Sequence, residues 1–274
     1  MSLNETLSRA IPDRWQAPGL LPSILFCVFV AFFAWSLSRA GISIPALISG
    51  IPAMGTIASE MVPPATDRLL PMMNSVLTTF QMALVGAGIG IVLSFPIAIL
   101  ATRTLSPHPI VYTATRAFVS FVRTVPDLAW ALFFVASVGL GPFAGTLALI
   151  MDTIGFCGRF FAESMEEVDP GPSEALAAMG AKRTDIIACA VVPAATPGLT
   201  NASLYSLEKA VRSSVVLGLV GAGGIGAELA VSMEMFRYDQ AATIVLMIFV
   251  LVLGVERFSA FARSKFLDGA RPKL

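Results

Sequence analysis

Charged side chains fall in clusters along this chain, and the long gaps between the clusters predict its elements. None lies between Arg14 and Arg39, Arg68 and Arg103, Asp127 and Asp152, Asp185 and Glu208, or Asp239 and Glu256. A hydrocarbon core of roughly 30 Å takes about 20 helical residues to cross, so most of these gaps are long enough to span it. The last is shorter and must borrow flanking residues such as Phe258 and Phe261. The expected architecture is all-α and polytopic, with membrane helices over 22–40, 73–102, 110–139, 143–165, 186–207 and 240–263. The third of these is the least regular, because Arg116, Arg123, Pro126 and Asp127 interrupt it. Proline cannot donate to the helix and kinks it, so Pro126 is expected to divide an amphipathic entry from an apolar half over 128–138.

Three connections are longer than turns. The stretch 41–72 holds Pro45, Pro52, Pro63, Pro64 and Pro71 and reads as short apolar pieces lying along an interface. The segment between the fourth and fifth spans carries Glu166, Glu167, Asp169, Lys182 and Arg183 and must face water. The third runs over 208–239. The chain thus divides into an amino-terminal segment (1–21), a first helix with an external loop (22–72), a core (73–265) and a tail (266–274).

Composition strengthens this picture. Hydrophobic residues make up 56% of the 274 positions and charged residues 13%, against roughly a quarter charged in a typical soluble domain. Eighteen basic and eighteen acidic residues give a net charge of zero, and with no basic run a nucleic-acid partner has no electrostatic footprint. The apolar run 22–38 has no small-residue cleavage site behind it, so it reads as a retained span rather than a removed signal. Cys27, Cys157 and Cys189 fall inside apolar spans and share no metal-ligand spacing. His108 sits in a Ser-Pro-His-Pro turn without partners for a metal cluster or a nucleophilic triad, and is expected to be structural or interfacial.

Candidate chemistry concentrates in the polar segment 169–185. Asp169 followed by Pro170 fits a helix start, since the carboxylate accepts free backbone N–H groups and proline tolerates the first helical position. Gly180 is placed to end that helix in a left-handed conformation. Thr184 and Asp185 are expected to cap the next helix. The result is a rigid two-turn peg whose Ala175, Leu176, Ala178 and Met179 offer an apolar side to a groove in a partner.

Glu174, Ala175, Gly180 six positions after the Glu, and Pro193 thirteen after that together resemble the EAA loop of ABC-importer permeases, the surface on which a cytoplasmic ATPase pushes. The family pattern prefers Ala, Ile and Leu where this chain has Leu176, Ala190 and Val192, which are other small or apolar residues. Arg123-Thr124-Val125-Pro126, the run Val138-Gly139-Leu140-Gly141-Pro142-Phe143-Ala144-Gly145, and Leu207-Glu208-Lys209-Ala210-Val211-Arg212-Ser213 leading into the glycines from Gly218 to Gly226 look like the phosphonate-type permease family. The similarity covers about residues 70–265. It implies a MetI-like permease core in a bacterial plasma membrane, with Glu174, Ala175, Ala178, Gly180 and Pro193 as the ATPase-coupling residues. It also implies two phosphate-loop ATPase chains carrying ATP and Mg, a second permease chain, identical or paralogous, an extracytoplasmic substrate-binding protein, and a phosphonate or related phosphorus oxyanion as cargo. A methionine-type or other organic-anion importer is the alternative within the class. This chain itself has no Gly-x-x-x-x-Gly-Lys-Ser/Thr loop, so no cofactor and no ATP hydrolysis are expected in it.

With segment 169–185 cytoplasmic, both termini, Arg9, Arg14, Arg103, Arg263, Lys265, Arg271 and Lys273 fall on the same side, and Arg68, Lys209, Arg212 and Arg237 on the other, a modest positive-inside bias. Gly221, Gly223 and Gly226 also satisfy Gly-x-Gly-x-x-Gly with Asp239 beyond, which taken alone is a dinucleotide fingerprint and makes a membrane-anchored NAD-dependent oxidoreductase the remote alternative. A Rossmann domain needs repeated strand-helix-strand units for which too few residues follow. With Gly224, these glycines are read instead as a close backbone approach or a turn lining a cavity. Ionisable groups near the membrane interior are costly and functionally suspect. Glu208 and Arg212 stand four apart, as do Arg123 and Asp127, and each pair could neutralise itself on one helix face. The other reading has Arg123, Lys209 or Arg212 facing the pathway and offsetting the charge of an anion in transit, with exposed backbone N–H groups around Gly221 to Gly226 adding to this.

Overall fold

A computed structural model describes residues 19–268, and among these every regular element is helical. The terminal stretches 1–18 and 269–274, with Arg9, Arg14, Arg271 and Lys273, lie outside the described residues. The chain forms two compact units divided at residue 57. In the first, helix α1 (Leu20–Arg39) buries none of its residues, and Phe26, Phe29, Phe33 and Trp35 stand exposed, as on a helix surrounded by lipid. The proline-rich stretch after it is more regular than expected. Residues Ile44–Glu60 form one 17-residue helix, α2, that runs through Pro52. Ser43 starts it by accepting from Ala46 N at 3.2 Å, and Pro45 is harmless in a first turn that has no internal acceptor to meet.

The second unit is built on α3 (Leu69–Ala101) and α6 (Pro142–Glu166). Their contact is made of small residues. A Cβ on Gly86 would stand 2.6 Å from Cβ of Leu149, and one on Gly90 2.5 Å from Cβ of Thr153. With lipid as apolar as leucine, helices in a bilayer associate through such close packing and through hydroxyls that return their hydrogen bonds internally. Ser94 does so, donating to Gly90 O at 2.6 Å. The opposite face of α3, with Leu84, Ile89 and Val92, is apolar and exposed.

Between these two helices in the chain, α4 (Pro109–Thr124) and α5 (Asp127–Val138) form a helix pair bent by 87°. Pro126 marks the break, and Val125 before it is extended, the conformation that a following proline imposes. His108 proves structural: its Nδ1 accepts from Ile110 N at 3.2 Å and caps α4. Among the described residues five helices are long and apolar enough to cross a bilayer, or six with the bent pair counted as one span.

After α6 come α7 (Pro170–Ala178), the short α8 (Arg183–Ile186), a wide π-helical turn (Ile187–Val191) and α9 (Val192–Leu217). A second wide turn (Gly218–Ala222) leads to α10 (Gly224–Glu234) and α11 (Tyr238–Asp268). Here the expected boundary at 207 is corrected. The fifth span continues to Leu217, so Glu208, Lys209 and Arg212 lie inside a helix of the bundle and not in an external connection. A hydropathy reading ends a span at the first cluster of charges because it cannot see partners on other helices.

Candidate functional site: a coupling peg and a charged interior face

Helix α7 is built as its end residues dictate. Asp169 accepts from Gly171 N at 3.0 Å with Pro170 in the first position. At the other end Gly180 has φ +80°, while Gly180 N donates to Ala177 O at 3.0 Å and Ala181 N to Leu176 O at 3.1 Å. That pair of bonds is the Schellman termination, which requires a left-handed residue and so favours glycine. Glu174, Ala175, Ala178 and Gly180 are all exposed, Leu176 is half-buried, and Met179 is 74% exposed. Pro193 sits apart from them, exposed near the start of α9. Having no N–H, it cannot bond back to the preceding turn, and the π-helical turn closes immediately before it, with Val192 N donating to Ile187 O. Asp185 contributes to the next helix start by accepting from Lys182 N at 3.2 Å, whereas Thr184 donates to Asp185 instead of capping the backbone.

Both flanks of the peg grip the connection between α3 and α4. On one side Glu166 accepts from Arg103 N at 2.9 Å and from Arg116 Nη2 at 2.7 Å, and Arg116 Nε donates to Ala101 O at 3.0 Å. On the other, Arg183 Nη2 donates to Thr104 O at 3.1 Å and Ser106 O at 2.6 Å. Beneath them Leu105, Met165, Val191 and Ala195 form a buried apolar cluster. The sequence marked Glu166 and Arg183 only as water-facing charges; their role emerges from bonds across 63 and 77 residues of chain.

The charged residues of the interior pair differently from the pattern expected within single helices. Glu208 accepts from Arg263 at 2.8 Å, and Arg212 donates to Glu256 at 2.5 Å, both on α11. Lys209 meets Asp152 of α6 at 2.6 Å. Asp127 accepts from Ser213 Oγ at 2.7 Å and from Leu128 N at 2.9 Å. Cross-helix partners win because the bend at Pro126 separates Arg123 from Asp127, and because antiparallel α9 and α11 present opposite charges in register. Arg123 alone of the suspected cations has no carboxylate partner among the described residues; its guanidinium carbon lies 5.8 Å from the centre of the Phe160 ring.

The glycine run is a tight reversal. Gly221, Gly223 and Gly224 have φ of +95°, +79° and +72°. A Cβ on Gly226 would collide with Val215 O, so α9 and α10 come as close as two backbones can. Gly141 N donates to Gly221 O at 2.9 Å, and Ile225 N to Thr79 Oγ1 at 2.8 Å. These groups are spent on packing the end of the bundle where α6 begins. No strand lies among the described residues, so the dinucleotide reading has no sheet to stand on.

Long apolar helices with exposed faces, a bent helix pair, an exposed peg and charges paired between helices are the features of a membrane translocation component. The comparisons with known proteins agree. Residues 90–263 match the binding-protein-dependent transport system inner membrane component family, and the chain belongs to it. The chain is thus the non-catalytic translocation part of an ABC transporter, a multi-pass protein of the inner membrane. It is 43% identical over 217 residues to the phosphate-import permease protein PhnE of Mycolicibacterium smegmatis, covering 79% of this chain but only 41% of that one. To the phosphite transport system permease protein PtxC of Stutzerimonas stutzeri it is 35% identical over 252 residues, covering 92% and 90%. Among solved structures, the inward-facing MetNI methionine ABC transporter superposes with a TM-score of 0.65 at 25% identity, covering 76% of this chain.

Proposed function

We propose that this chain is the permease subunit of a bacterial importer for phosphonate or a related phosphorus oxyanion, driven by ATP hydrolysis in a partner subunit. The near full-length likeness to a phosphite transport permease carries the cargo assignment. In this reading α7 seats in a groove of a phosphate-loop ATPase that holds ATP and Mg. Glu174, Ala175, Ala178 and Gly180 form the seat, and the grip of Glu166 and Arg183 on the α3–α4 connection passes the push into the bundle. A second permease chain completes the pathway, and an extracytoplasmic binding protein delivers the anion to it. The termini and α7 lie in the cytoplasm.

A methionine-type cargo is the second reading, favoured by the structural likeness to the methionine transporter. One experiment separates the two. The permease is purified from its own membranes with the ATPase that accompanies it, reconstituted with the cognate binding protein, and offered labelled methylphosphonate, phosphite, phosphate or methionine. ATP-dependent accumulation of a phosphorus oxyanion supports the proposal; accumulation of methionine alone overturns it.

A further inference from the structure

Resting on the phosphorus-oxyanion reading, we infer that Arg123, held over an aromatic floor of Phe160, Phe156 and Tyr205, is the residue that receives the anion inside the membrane. Charge accounting comes first. Lys209 and Asp152 neutralise one another, as do Arg212 with Glu256 and Arg263 with Glu208. Asp127 is held by Ser213 Oγ and by Leu128 N. The Arg123 side chain makes no hydrogen bond and no ion pair with any described residue. A cation held by a ring face leaves its N–H donors unused, and those donors form the planar fork that suits a tetrahedral oxyanion.

Depth comes second. A Cβ on Gly155 would lie 3.0 Å from Arg123 N, so Arg123 stands level with the middle of α6 (Pro142–Glu166), about 15–20 Å from either end of that helix at 1.5 Å per residue. Headgroup phosphates do not reach there, and an unpaired ionisable group at such depth is expected to serve function. The surroundings come third. Phe156 and Phe160 are 4.5 Å apart, Tyr205 stacks 5.4 Å from Phe156, and Lys209 Nζ lies 5.6 Å from the Phe156 ring. Arg123 and Tyr205 are exposed, the latter 45%, so this face opens to a neighbour or to water. Further along the same two helices, and not lined by Arg123 itself, a cavity of about 430 Å³ holds Arg116, Ser120 and Arg159. Arg257 also has no described acceptor, but it stands beside exposed Leu253, Phe258 and Phe261 on α11, and no ring face among the described residues holds it.

The test is uptake of labelled methylphosphonate by the reconstituted complex at saturating loaded binding protein, with wild type, Arg123→Gln, Arg123→Lys and Arg257→Gln, in liposomes with and without anionic lipid. Assembly of each variant is scored by retention of the ATPase chains. Expected are wild-type uptake in Arg257→Gln, a loss of at least about tenfold in Arg123→Gln, the scale of a missing charge-assisted hydrogen bond, and partial recovery in Arg123→Lys in both lipid mixtures. Wild-type uptake in an assembled Arg123→Gln complex overturns the assignment, as does a loss seen only with anionic lipid, which would place a lipid phosphate on Arg123. If Arg123→Gln does not assemble, Arg123→Lys decides: uptake equal to wild type with phosphate and methylphosphonate alike overturns a geometric grip by the guanidinium, and a selective loss supports it. A wild-type complex that moves no phosphorus oxyanion removes the cargo reading itself, a different result from any of these.

Discussion

Single residues in this protein matter in proportion to how closely backbones approach. Gly226 faces Val215 O across a gap that holds no side chain, so Gly226→Ala is expected to prevent accumulation in the membrane, whereas Gly254→Ala, whose Cβ meets open space, is expected to be neutral; quantifying both by immunoblot of membranes checks the pair. The Lys209–Asp152 bridge has partners only 35% and 17% exposed. Removing one charge strands the other, which costs about 1–3 kcal/mol, while replacing both with apolar groups is close to neutral. Asp152→Asn should therefore lower the melting temperature in detergent, and Asp152→Leu with Lys209→Met together should recover most of it. A double variant no more stable than Asp152→Asn would show that the bridge is not the source of the effect. None of these pairings was legible from spacing, because a residue four positions away on the same helix is a poorer partner than one on a neighbouring helix already in register.

At the scale of elements, α7 was legible nearly to its ends. Asp169, Pro170 and Gly180 act through local backbone chemistry that survives in any context, and the structure realises each. The tightness of its mounting was not legible, since Arg183 and Glu166 reach partners far away in sequence. A Cβ at Gly180 touches nothing in this chain, so beyond the backbone strain of its φ of +80° any clash at that position must come from a partner. Gly180→Asn, which tolerates a left-handed backbone, is expected to keep the ATPase attached, and Gly180→Asp to release it on purification. Equal retention in both would move the docking surface elsewhere. Arg183→Ala loosens one side of the grip and should leave the ATPase bound yet lower the anion transported per ATP hydrolysed severalfold. An unchanged ratio would mean that motion enters the bundle by another route.

For the whole molecule, orientation is the claim open to direct measurement. In a chain otherwise free of cysteine, Ser106→Cys beside the peg should react with a membrane-impermeant maleimide only in inverted vesicles, and Leu140→Cys, 79% exposed in the turn between α5 and α6, only in intact cells. The reverse pattern would invert the topology and place the peg outside. By itself the sequence determined the solvent, the helical class, the broken third span and the peg, because hydropathy, proline and terminal capping are decided within a few residues of chain. Only the tertiary structure decided where α9 ends, which charges neutralise which, and that Arg123 is left over. A charge in a membrane is tolerated or not according to what stands opposite it, and what stands opposite belongs to another helix.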